Sequence, residues 1–183
     1  MSQSASFYSI APSDFLVIQN SDDKELDIAP FVKAYFTLEE SFMALEFTIV
    51  KGQDEEAVSL LEEIFNPSSS FGGTDFSDID IDTIDPERLE AMVMDDASVY
   101  YLAPDTITAI SAILNKISES DIVANYDAAA LNDNDIYPGK WNNDSSSDHR
   151  YNMLYIRDNF NELKSFFSKA AGEKDYIITY TDG

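Results

Sequence analysis

The densest set of groups able to do chemistry is the aspartate series Asp78, Asp80, Asp82 and Asp85. Carboxylates at such short intervals are what a hard divalent cation needs, since calcium is held by several oxygen ligands. A calcium loop counted from Asp78 requires glycine at its sixth position and a bidentate glutamate at its twelfth. Those positions hold Thr83 and Leu89. No metal site is assigned, and the four aspartates are read as a wet, acidic interaction face.

His149 is the sole histidine, flanked by Asp148 and Arg150. One imidazole permits one general base at most and excludes any mechanism needing two. Ser145, Ser146 and Ser147 lie just upstream, but no nucleophile-elbow motif surrounds them. The segment Tyr137-Pro138-Gly139-Lys140-Trp141 is the other candidate. Proline fixes φ and glycine opens unusual turns, so two large rings with polar tips are presented from a rigid loop. Such rings serve either as pocket walls and interface anchors or as a plug over the core. Tyr137, Trp141, His149, Arg150 and Tyr101 form the candidate binding set, and Tyr100, Tyr151 and Tyr155 could extend it. Gly72-Gly73 stands without a Walker lysine or dinucleotide pattern, so no cofactor is implied.

These groups must be positioned by elements that the chain marks locally. Residues 6–10 and 98–102 read as strands, and 176–181, β-branched and aromatic, as a final strand. Pro12 and Pro104 each open a helix, where the missing N–H costs nothing. A short helix is expected over 27–36. Thr37 with Glu40 forms a capping-box pattern ahead of Leu38, Phe42, Leu45 and Ile49, giving a helix that ends near Gly52. Asp54 caps another, with Val58, Leu61 and Phe65 inward and Pro67 as its stop. Residues 68–73 read as a loop, 78–82 as a half-exposed strand, and 121–131 as one helix. Residues 149–171 read as a helix with a possible break at Asn159, closed by Gly172. Few strands mixed with many helices, without regular alternation, predict an α+β fold: a small, mostly antiparallel sheet of N-terminal, central and C-terminal strands packed with helices.

The 183 residues fit one domain spanning 1–183, with 44% hydrophobic residues and abundant aromatics to build a core. The formal net charge is -24. Between Gln53 and Asp105 there are 15 acids against one base, Arg88, whereas seven of the 11 bases lie from Lys116 onward. Such a chain repels phosphate backbones and anionic membranes, and its charge suits a basic protein, a polyamine or divalent cations. Absence of cysteine removes disulfides and thiolate chemistry. No signal peptide or membrane-length apolar run is visible, so a cytoplasmic location is expected.

Ile136-Tyr137-Pro138 followed by Trp141, the stretch from Tyr155-Ile156-Arg157-Asp158-Asn159-Phe160 through Ala171, and the strand after it together resemble the YfbM-like bacterial family, a domain of unknown function. Tyr100-Tyr101-Leu102 with Pro104 resembles that family's strand-into-helix step. The resemblance implies an α+β cytoplasmic protein and supplies no activity. Where the family carries basic, indole and imidazole side chains, this chain has Glu40, Phe42 and Met43, and Glu46 stands where a second imidazole is common. Two functions are expected from these readings. The first is a non-enzymatic module that meets a basic partner, including an immunity- or antitoxin-like role. The alternative is a small-molecule-binding protein or enzyme with a cleft near Tyr137, Trp141 and His149.

Overall fold

The computed structural model describes residues 3–21, 26–73, 98–144, 146 and 150–182. Asp78, Asp80, Asp82, Asp85 and His149 lie outside the described residues, as does the strand expected over 78–82. Among these residues five strands form one antiparallel sheet: β1 (Ser4–Ile10), β2 (Val32–Glu39), β3 (Ser69–Phe71), β4 (Val99–Leu102) and β5 (Tyr176–Asp182), in the order β2-β1-β5-β4-β3. Among the described residues seven α-helices accompany them: α1 (Pro12–Gln19), α2 (Phe42–Ile49), α3 (Glu55–Glu62), α4 (Pro104–Lys116), α5 (Glu119–Asn125), α6 (Ala128–Asp133) and α7 (Met153–Glu173). The fold is α+β, as the sequence predicted.

The alternation of β1 explains how the sheet gains two cores. Ala5 and Phe7 face one side, with Leu38, Leu102 and Ile177, and pack under α2 to α7. Tyr8 and Ile10 alternate to the other side, where Ile10 joins Ile178 beneath Phe15 and Ile18 of α1. Phe15 stacks on Tyr176 with centroids 3.9 Å apart. Burying each such side chain is worth about 1.5–3 kcal/mol. Strand β5 therefore carries Ile177 toward one core and Ile178 toward the other, as a strand covered on both faces should.

The local helix marks hold at Pro12, Asp54 and Pro104, each at its helix's start. The Asp54 side chain accepts the Ala57 N–H at 2.9 Å. Four expectations give way. Residues 27–36 are not a helix: one 3₁₀ turn (Ala29–Phe31) leads into β2, because Ala34, Phe36 and Leu38 alternate inward opposite Ser9, Phe7 and Ala5, while a register shift sets Val32 opposite Ile10 on the other face. The Thr37 hydroxyl accordingly meets Ser6 across the strands at 3.0 Å instead of capping a helix. Residues 69–71 form the edge strand β3 rather than loop. Asp127 caps α6 through the Ala130 N–H and so splits the helix expected over 121–131 in two.

Helix α7 runs unbroken through Asn159, whose side chain donates to the buried Ser41 hydroxyl at 2.9 Å. It ends past Gly172, at Lys174 with φ 56°. The Lys174 and Asp175 N–H groups return to the carbonyls of Ala171 and Ala170, a Schellman closure. The next side chain fixes that end. Asp175 is 1% exposed, accepts Ser9 Oγ at 2.7 Å, and takes both carboxylate bonds from Lys33 at 2.8 Å, while Lys33 also pairs with Glu173. The Asp175 hydrogen bonds, first among several carboxylate interactions, raise the Lys33 pKa.

Candidate functional site

The connection between α6 and α7 is built as a clamp on Trp141. Asn132 accepts the Trp141 N–H at 2.9 Å and donates to its carbonyl at 2.8 Å. The Tyr137–Pro138 peptide is cis, and Gly139 N–H returns to Ile136 O at 2.9 Å, closing a tight turn. The same carbonyl accepts the indole N–H at 2.9 Å. Trp141 is 3% exposed and belongs to the main core, so its one side-chain donor is already engaged. Tyr137 is half-buried and Arg150 is exposed. Tyr101 sits in the smaller core under α1, with Phe15, Phe71 and Tyr176. The structure thus separates Tyr101 from the 137–141 loop by the thickness of the sheet.

What surrounds Trp141 is a second set of residues. Tyr151 lies edge-to-face with Trp141, with centroids 5.7 Å apart. Lys140 Nζ sits 4.2 Å from the centre of the Tyr151 ring, a cation–π contact. The Tyr151 hydroxyl donates to the carboxylate of Glu40, and that bond, first among its causes, pushes the phenol up to about 12. Both residues have left-handed backbones, Glu40 with φ 55° and Tyr151 with φ 67°. Such conformations persist where the surroundings over-determine them. The Glu40 N–H is held by Gln3 O at 2.8 Å, and the neighbouring Tyr155 hydroxyl donates to Glu39 O at 2.9 Å. Tyr126 donates from below to Asn142 O at 2.8 Å, and burial pushes its phenol up to about 12.

Chemically this cluster is a half-buried carboxylate–phenol pair with a lysine over the phenol ring. It offers positioning more than proton transfer, because the phenol is held neutral throughout the physiological range. A carboxyl better placed to exchange protons is Glu46 on α2, raised to about 7 chiefly by burial and then by the charge of Glu62. The sequence named Glu40 and Glu46 as departures at family positions, and Tyr151 and Tyr155 as possible extensions of an aromatic surface. The hydrogen bonds of Tyr151 to Glu40 and of Tyr155 to Glu39 O join segments more than a hundred residues apart, which spacing alone does not reveal.

Open space lies elsewhere. A cavity of about 610 Å³ is lined by Tyr8, Leu26, Asp27, Ile28, Ala29, Val32, Tyr35 and Tyr180, on the sheet face that carries α1. A second, of about 450 Å³, lies where β5 runs beyond β4, beside Phe65, Tyr100 and Thr179. No group of three or more acidic or imidazole side chains suited to a metal ion occurs among the described residues.

The family model described as a domain of unknown function, DUF1877, matches residues 1–180. The chain belongs to the DUF1877 family. Among solved structures it is similar to YfbM from Escherichia coli, a protein of unknown function, with a TM-score of 0.59, 9% identity, and coverage of 97% of this chain and 98% of that one. At that identity the likeness to YfbM shows the fold alone. No curated protein matches the sequence. No helix among the described residues of this DUF1877 chain is long and apolar enough to cross a membrane.

Proposed function

We propose that this DUF1877 protein is a non-enzymatic interaction module whose acidic surface engages a basic protein, including partners it would neutralise in an immunity- or antitoxin-like way. The observation that carries the reading is the -24 net charge together with where its carboxylates lie. On α3 and its cap, Asp54, Glu55, Glu56 and Glu62 are exposed, and no cation among the described residues forms an ion pair with them. Asp105 is exposed at the start of α4, which packs against α3. The expected face at Asp78, Asp80, Asp82 and Asp85 continues the same stretch of sequence. Unpaired like charges raise the potential over such a face, speed encounter with a basic partner and make association fall with salt.

The reading of a cleft at Tyr137, Trp141 and His149 has less support, because Trp141 is packed and hydrogen-bonded into the core. The test is capture by the immobilised chain at about 50 and about 500 mM NaCl, repeated with the triple variant Glu55→Lys, Glu56→Lys, Glu62→Lys. A partner with a basic isoelectric point should be lost at the higher salt, and its association rate should drop about tenfold for the variant. Capture that ignores both salt and charge reversal rules the reading out.

A further inference from the structure

The larger cavity has walls of one chemical kind. Tyr8 on β1 stands directly opposite Tyr35 on β2, while Tyr180 on β5 is the register partner of Ser6, two positions from Tyr8. Period-two alternation puts all three rings on one sheet face. The Tyr8 and Tyr180 rings meet at 77° with centroids 5.8 Å apart, forming a corner. Tyr35 is 73% exposed and Tyr180 42%. No hydrogen bond among the described residues uses the hydroxyl of any of the three. Leu26, Ile28, Ala29 and Val32 complete an apolar side.

Among the described residues the one charged group in the lining is Asp27, one of whose oxygens accepts the Ala29 N–H at 2.9 Å. Among the described residues no lysine, arginine or histidine lines the space, so these walls offer an anionic ligand nothing to meet. A metal ion would find a single carboxylate, far short of a coordination shell. Aromatic faces attract cations through the ring quadrupole, and corners of tyrosines with one carboxylate suit alkylated ammonium groups. The volume of about 610 Å³ falls in the range of small-molecule sites and exceeds what one side chain of a partner would fill. The surplus negative charge of the chain concentrates cations around it.

We propose that the Tyr8–Tyr35–Tyr180 cavity, with Asp27 at its rim, is a binding site for a small organic cation bearing an alkylated ammonium head and a hydrocarbon body. It goes beyond the partner reading and does not depend on it, since the two use different residues and different probes. The experiment is calorimetric titration of the full chain with choline and with its neutral isostere 3,3-dimethylbutan-1-ol. Choline should bind about tenfold or more tightly than the isostere. Tyr35→Leu should weaken choline at least about fivefold, and Tyr35→Phe, which keeps the ring face, should stay within about twofold of the parent. Tyr35 is mostly exposed, so these variants retain the fold, to be checked by their far-ultraviolet circular dichroism. Asp27→Asn should weaken choline and leave the isostere unchanged. Equal binding of choline and the isostere, absence of choline binding, or indifference to Tyr35→Leu would each overturn the proposal.

Discussion

Burial holds the Glu46 carboxyl at about 7, and the nearby charge of Glu62 adds to the effect. The fold therefore keeps a proton that the unfolded chain, with an ordinary glutamate near 4.5, releases earlier. Between those values the unfolded state binds fewer protons, so this group's contribution is intact below about 4.5 and is lost as pH rises through about 7. Glu46→Gln should stabilise the protein at pH 8 by about 1–2 kcal/mol, after allowance for solvent screening, and change it little at pH 4.5. Urea unfolding midpoints at both pH values measure this, and an equal gain at both would show that charge is not the cause. The sequence could mark Glu46 as unusual only by its position in a family pattern, because desolvation depends on α2 and α3 meeting in space. Trp141 illustrates the converse. Its type and its Pro-Gly loop were legible, yet whether its indole faced a ligand or the core was decided by Asn132 and Ile136 O, which no local pattern couples to it.

Among the elements, α7 shows how a distant contact overrides a local stop signal. Gly172 is the natural residue for a left-handed closure, but the helix continues until Lys174 takes that conformation. The register is set by Asp175, which must reach Ser9 and Lys33. A side chain with Cβ pays about 1–2 kcal/mol for a left-handed backbone, and glycine's extra freedom in the unfolded chain offsets part of the relief. Lys174→Gly should therefore stabilise the protein by about 0.5–1 kcal/mol, read as a higher denaturation midpoint, whereas no gain would mean that the lysine stem packs usefully there. The same competition explains the 27–36 segment. Leu38 fits both the helical series with Phe42, Leu45 and Ile49 and the alternating series with Ala34 and Phe36. Pairing with β1 decided for the strand, and that information lies outside the segment. Helix starts at Pro12, Asp54 and Pro104 were legible because a missing N–H or a side-chain cap acts within one turn.

At the scale of the whole chain, the surplus of carboxylates opposes compaction even as it favours a basic partner. Screening should relieve that repulsion: raising NaCl from about 20 to about 300 mM should lift the melting temperature by about 3–6 °C. A melting temperature that stays flat or falls would show that local pairs, not the net charge, govern stability. The α+β class was readable because it follows from summed local patterns, whereas the strand order was not, since it follows from which edges meet. That order places β5 between β1 and β4, with Ser9 and Asp175 joined across 166 positions. The antiparallel pair of β1 with β2 and the pair of β3 with β4 have no shared edge without it. Neither ribbon can therefore satisfy its inner backbone rim until the segment made after both of them is available to pair with each.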